Sequence, residues 1–218
     1  MATAEELGVA VPCEILLVRH SVPQPDGTMD PGLGEPGLAQ AHSLVAHLAT
    51  EDIDAIYSSH LKRAIQTVEP LAQDRGLTIT VDEGLREWVS GAKAYTGTEG
   101  MVDDSRTKAF LEGRFEEGFM PPHNDVELRE TMLATMRRIG LAHQGRKVVA
   151  ASHGGASNSF LGAVLDSPRK FFFNPGYASI SRVQVWPDGR FVLLCINELT
   201  HDRDRGSSNR DEGMLPIG

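Results

Sequence analysis

The chain predicts an α/β fold: a mostly parallel sheet with helices on both faces, an antiparallel edge hairpin and a cap-like insertion. Three observations carry this. Ile15-Leu16-Leu17-Val18 is a continuous apolar run, the pattern of a strand covered on both faces. Strand-like and helix-like segments then alternate four times, the order that implies a mostly parallel sheet. Two late apolar segments flank Pro187-Asp188-Gly189, a turn signal, and read as a hairpin.

The elements follow in order. Residues 14–19 read as a strand, and the Pro-, Gly- and Asp-rich stretch 21–34 as a loop. Leu38, Ala41, Val45 and Leu48 fall at helical spacing, which predicts a helix over 35–49. Ala55-Ile56-Tyr57-Ser58 is a short strand. Leu61, Ile65, Val68 and Leu71 mark the next helix, ended near Gly76. Residues 77–81 alternate apolar and Thr, as a strand does. Residues 82–125 are the least regular part, with a helix expected near 104–116. Leu128, Met132, Thr135, Met136 and Ile139 mark a long helix across 125–143. A strand is expected at 147–151, a helix at 156–165, and the hairpin strands at 178–186 and 191–198. No internal repeat or linker divides the chain. One α/β domain over 1–203 is therefore expected, with a cap-like segment at 88–125 and a mobile charged tail at 204–218.

Bulk properties narrow the class. The chain has 218 residues, 40% apolar and 23% charged, within range for one α/β unit. A formal charge of −9 argues against nucleic acid or an anionic membrane surface as partner. A small anionic substrate then needs a locally basic pocket. Cys13 and Cys195, the only cysteines, lie in or beside apolar runs and read as buried thiols rather than a disulfide or metal site. The first residues lack a basic n-region and an apolar h-region, and no apolar run approaches the ~20 residues that span a bilayer. The expected location is cytoplasmic. Oligomeric state is open, a homodimer included.

Ligands of parallel sheets bind at the carboxyl ends of the strands. Arg19-His20 closes the first strand, and Ser58-Ser59 the second. Glu87 comes shortly after the third, and Ser152-His153-Gly154-Gly155 closes the fourth. Arg63 lies about one turn into the helix that leaves the second strand. Five anion-binding or reactive side chains therefore project toward one rim. Arginine forks suit the oxygens of a phosphoryl group. A neutral imidazole can attack phosphorus, and either His20 or His153 can be that nucleophile. Backbone N–H groups at Gly154-Gly155, where a helix starts, add anion donors. Glu87 is the nearest candidate to protonate a leaving oxygen and then activate water.

These residues also carry a resemblance. Leu17-Val18-Arg19-His20, Leu33-Gly34-Glu35-Pro36-Gly37-Leu38-Ala39-Gln40-Ala41, Tyr57-Ser58-Ser59-His60-Leu61-Lys62-Arg63-Ala64-Ile65-Gln66-Thr67, Leu85-Arg86-Glu87 and Ser152-His153-Gly154-Gly155 resemble, in order, the motifs of the histidine phosphatase superfamily, phosphoglycerate mutase-like branch. Asn197 and His201 resemble its final strand ending. The resemblance spans about residues 14–201. It implies a phosphomonoesterase working through a phosphohistidine on His20. Arg19, Arg63 and His153 would form the phosphate pocket with Gly154 and Ser21, and Glu87 would be the general acid. It implies no metal and no organic cofactor, a small phosphorylated substrate, and inorganic phosphate as product.

The chain departs from the family pattern after His20. Ser21 stands where Gly or Ala is usual, Val22-Pro23 replace a polar pair, and a pocket Asn has no counterpart between Pro23 and Asp30. Glu87-Trp88-Val89-Ser90-Gly91 stands where the family's mutases carry Glu-Arg-His-Tyr-Gly, which favours phosphatase over mutase. Mutase-type transfer and a non-catalytic phospho-ligand binding protein are the alternatives. Gly155-Ala156-Ser157-Asn158-Ser159 is not a Gly-x-Ser-x-Gly elbow, which argues against a serine hydrolase.

Blander roles stand beside these. Arg63 can be a solvated residue paired with Glu69 or Asp74. Asp82, Glu83 and Glu99 compete with Glu87. His60 reads as an exposed helix-start residue. His42, His47, His123 and His143 read as ordinary surface positions. Lys93, Arg106, Lys108 and Arg114 either grip an acidic substrate or form a solvated face.

Overall fold

The computed structural model describes residues 10–87, 95, 105, 108–109, 112–114, 117, 125–169 and 171–200. Strand β1 (Cys13–Arg19) leads to helix α1 (Glu35–His47). Then follow β2 (Ala55–Ser58), α2 (Lys62–Arg75), β3 (Ile79–Val81) and a 3-10 turn at Glu83–Leu85. Helix α3 (Asp125–Ala142), β4 (Lys147–Ser152), α4 (Gly154–Val164), β5 (Ile180–Val185) and β6 (Phe191–Glu198) complete it. The sheet order is β3-β2-β4-β1-β5-β6. The first four strands in that order are mutually parallel; β5 and β6 run antiparallel at one edge.

The apolar run of β1 splits by parity. Ile15 and Leu17 pack under α3 and α4 with Met132, Met136 and Phe160. Leu16 and Val18 face the other way, against Leu44 and Leu48 of the first helical layer and Val68 and Leu71 of α2. Ile15, Leu16 and Val18 are fully buried. Each such side chain contributes about 2 kcal/mol over exposure. That two-sided demand is why β1 has no polar alternation.

Element ends follow local chemistry. Gly76 caps α2 in the left-handed region (φ 63°), its N–H reaching Ala72 O and Gln73 O. β3 consequently starts at Ile79, two residues later than the alternation suggests. Helix α4 starts at Gly154 rather than 156, directly at the end of β4. The hairpin turns at Gly189 (φ 80°), with Trp186 N–H bonded to Arg190 O at 3.0 Å. The 3-10 turn at Glu83–Leu85, unmarked by periodicity, is capped by Asp82 Oδ1, which accepts Gly84 N–H at 2.9 Å. No helix among the described residues is long and apolar enough to cross a membrane. The helix expected near 104–116 falls largely, and the tail at 204–218 wholly, outside the described residues.

Three chain segments meet at one rim because β1, β4 and β2 end level with one another. Arg19 pairs with Ser152, and Ser58 with Ala151. Just beyond, His20 N–H bonds Ser152 O at 3.0 Å, and Ser59 N–H bonds Ala151 O at 2.9 Å.

Candidate active site

Arg19, His20, Arg63 and His153 are all buried, the last completely. The two imidazole rings lie 5.2 Å apart. His20 Nδ1 is 2.8 Å from Ser21 O. A carbonyl only accepts, so Nδ1 carries the hydrogen and Nε2 keeps its lone pair. Burial, then the Arg63 and Arg19 charges, push the His20 pKa well below its usual value. The ring is thus neutral at pH 7. His153 is depressed the same way, by burial first and then by His20, Arg63 and Arg19.

The arginines are held from behind. Arg19 donates from Nη1 to Pro175 O, and its guanidinium lies 3.9 Å from the Tyr177 ring centroid. Arg63 sits 4.5 Å over the Tyr95 ring, 3.9 Å from Asp30, with Nη1 donating to Met29 O at 3.5 Å. Burial lowers its pKa, partly offset by Tyr95, Glu87, Asp30 and Tyr177. The suggested pairings of Arg63 with Glu69 or Asp74 are replaced by Asp30; Asp74 pairs with Arg75 instead. Four buried polar atoms here have no partner among the described residues: Arg19 Nε, Arg63 Nε, Ser21 Oγ and His153 Nδ1. Buried polar atoms seldom go unpaired. Their gathering marks a place that an anion with several acceptor oxygens would complete.

Glu87 reaches the site by a different route. The 3-10 turn is tied to β4 by Ser152 Oγ–H donating to Leu85 O at 2.8 Å. The Glu87 carboxylate then accepts Gly155 N–H and Ala156 N–H, each at 3.0 Å. A Cβ at Gly155 would come within 2.6 Å of Glu87 Oε1, so glycine leaves the room this carboxylate needs. This corrects one expectation: the Gly155 amide is engaged by Glu87 and not left for a ligand. Gly154 does lie beside the pocket, where a Cβ would meet Arg19 Nε at 3.4 Å. Asp82 is taken by its turn and by an ion pair to Arg138, and Glu83 is exposed. Glu99 lies outside the described residues.

The loop after His20 is held by partners that the spacing did not announce. Ser21 N–H bonds Thr67 Oγ1 at 2.8 Å, and Val22 N–H bonds Gln40 Oε1 at 2.9 Å. A Cβ at Gly37 would meet Val22 O at 2.1 Å, so α1 approaches this loop only because of that glycine. Both polar partners sit inside the quoted motifs. Tyr177 and Tyr95 carried no such signal, yet their rings lie 5.6 and 6.3 Å from that of His20.

Other expected residues fall elsewhere. His60 and His42 are exposed. His47 is exposed as expected, with Nε2 2.6 Å from Glu198, whereas His143 is half-buried, with Nε2 3.0 Å from Tyr57 OH. Lys108 and Arg114 pair with Glu112, and Arg114 also with Glu117. Lys93, Arg106, His123, His201 and residues 88–91 lie outside the described residues. Cys13 is buried and Cys195 half-buried; both are free. Asn197 braces the loop before β5, accepting Gly176 N–H at 2.7 Å.

The profile of the Histidine phosphatase superfamily (branch 1) matches residues 15–198, and the chain belongs to that family. It is 29% identical over 175 residues to Phosphoglycerate mutase-like protein 4 of Arabidopsis thaliana, covering 72% of this chain and 73% of the relative. It is 28% identical over 205 residues to Phosphoserine phosphatase 1 of Hydrogenobacter thermophilus, covering 86% and 93%. The native structure of a mycobacterial glucosyl-3-phosphoglycerate phosphatase superposes with a TM-score of 0.69 at 23% identity, covering 85% of this chain and 98% of that one. The fold is thus that of the histidine phosphatases.

Proposed function

We propose that the chain is a phosphatase that hydrolyses a small phosphomonoester through a phosphohistidine on His20. One observation carries this: His20 is neutral, with Nδ1–H spent on Ser21 O and Nε2 left as a lone pair among two buried arginines and a second buried imidazole. Family membership and the named relatives support phosphatase or mutase chemistry at this site.

In the first step Nε2 attacks phosphorus, the P–O bond to the leaving group breaks, and Glu87 gives the leaving oxygen its proton. Arg19 and Arg63 hold the equatorial oxygens, where charge spreads in transfer. In the second step Glu87 takes a proton from water, the water oxygen attacks phosphorus, and the P–N bond breaks. Inorganic phosphate leaves and neutral His20 returns. The hold of the Gly155 and Ala156 N–H groups on the Glu87 carboxyl, at the start of α4, supports this role.

The names of the relatives point to a phosphorylated acid as substrate. Mutase-type transfer is the second reading, since one relative bears a mutase-like name. The absence of Glu-Arg-His-Tyr-Gly at Glu87 weighs toward hydrolysis. Quenching the enzyme during turnover of an aryl phosphate should trap an acid-labile, base-stable phosphoenzyme, and His20→Ala should lose both it and hydrolysis. Full hydrolysis by His20→Ala would sink the proposal. Isomerisation of 3-phosphoglycerate faster than its hydrolysis would move the reading to a mutase.

A further inference from the structure

Of the two ring nitrogens of His153, one has a partner. Nε2 lies 2.9 Å from Ser59 Oγ, whereas Nδ1 is buried without a partner among the described residues. Ser59 is itself fully buried, one residue past β2, with Ser58 Oγ–H donating to its carbonyl at 2.9 Å. Among the described residues its hydroxyl oxygen has two hydrogen-bond neighbours, Leu61 N–H at 3.4 Å and His153 Nε2. An N–H only donates, so the oxygen accepts from Leu61. If it also accepted from a His153 Nε2–H, its own hydrogen would have no acceptor among the described residues, in a place sealed from water. The hydroxyl therefore donates to Nε2. A neutral imidazole that accepts at Nε2 carries its hydrogen at Nδ1.

We infer that Ser59 is a positioning residue whose hydroxyl fixes the His153 tautomer, leaving Nδ1–H, on a ring 5.2 Å from that of His20, as a donor to a phosphoryl oxygen. The other tautomer would present a lone pair to an anion. It would turn the second imidazole from a stabiliser of transferred charge into an opponent of it. Nothing in the Tyr-Ser-Ser spacing separates this hydroxyl from an ordinary buried one; only the long-range contact to His153 does. The role rests on the phosphoryl-transfer reading; the tautomer itself does not.

The experiment is nitrogen NMR of the full chain labelled at histidine, with His153→Gln assigning the signals. The native protein should show Nδ1 protonated and Nε2 unprotonated. Ser59→Ala should shift the ring toward the Nε2–H form and lower kcat on an aryl phosphate about tenfold, the equivalent of one neutral hydrogen bond. Ser59→Thr, which keeps the hydroxyl, should restore both. An Nε2–H ring in the native protein overturns the inference, even if Ser59→Ala fails to fold. A ring unmoved by Ser59→Ala overturns it too. If the tautomer is as inferred but the native protein turns over no phosphoester, the functional reading fails and the tautomer assignment stands.

Discussion

Toward the amino ends of β1 and β4, Arg182 meets Glu198 at 2.7 Å and both Glu14 and Glu51 at 3.1 Å. Lys147 joins Glu51 in the same network, and His47 joins Glu198. At the carboxyl ends, Arg19 and Arg63 are more deeply buried, yet each keeps an unpartnered Nε among the described residues. One region encloses charge and balances it with protein. The other encloses charge and surrounds it with aromatic rings and carbonyl oxygens, which steady a guanidinium without neutralising it. A carboxylate bonded two-fold to Arg63 would leave no fork for a ligand. Asp30, at 3.9 Å, is too far for that. Within one sheet, imbalance of buried charge marks the binding end and balance marks the supporting end.

The sharpest break of this comparison is Arg63→Ala. Hydrolysis of an aryl phosphate should fall about 10³-fold, the scale set by removing one donor of transition-state charge. The melting temperature should hold or rise, because an underpaired buried charge costs the fold energy. Steady-state kinetics beside a thermal melt reads both. Unfolding with little loss of specific activity would make Arg63 a structural residue and erase the contrast.

Acid should reveal the imbalance next. Burial holds His20 and His153 well below the ordinary imidazole pKa of 6.5 in the folded chain, so the unfolded chain binds protons there that the folded chain does not. Stability therefore rises with pH. Each ring's contribution is complete above pH 6.5 and is lost as pH falls below it, at about 1.4 kcal/mol per pH unit per ring. The depressed carboxyls Glu51 and Glu198 act in the same direction, but only as pH drops toward and below their ordinary value of 4.5. Urea titrations between pH 5 and 6.5, in buffer free of phosphate, should show the histidine slope. His153→Gln should remove one ring's share. A slope unchanged in that variant would mean the ring is protonated in the fold.

The rim was readable because its chemistry is attached to strand ends. A continuous apolar run fixes where β1 stops, so Arg19 and His20 have one place to go; the same holds for β4 and His153. Arg63 needed one further turn of helix, and Glu87 only its nearness to a strand end. What sequence spacing could not supply is choice of partner. Thr67 bonds Ser21 across 46 residues, His143 meets Tyr57 across 86, and Arg19 finds Pro175 across 156. Each depends on register between elements, which the helix and strand periods do not encode. The same limit hid the use of the Gly155 amide: a helix start attracts an anion, but local sequence does not say that the anion is Glu87.

Arg182→Ala tests the balanced end and should have the smallest effect. Its side chain is only 16% exposed, and its charge is held by three carboxylates. Their proximity raises its pKa. Removing it leaves Glu14, Glu51 and Glu198 facing one another, with Lys147 as the remaining partner of Glu14 and Glu51. The cost should be about 1–3 kcal/mol, between an exposed pair and a fully buried one. It should shrink in high salt, which screens the residual repulsion. The kcat on an aryl phosphate should not change, since Leu16 of β1, not Arg19, is its partner in register. Arg182→Met replaces the charge with apolar volume but leaves the same three carboxylates without their shared guanidinium, so it should be nearly as destabilising. If Arg182→Ala lowers kcat as much as stability, the two ends are energetically coupled through β1 and the division between binding and supporting charge does not hold.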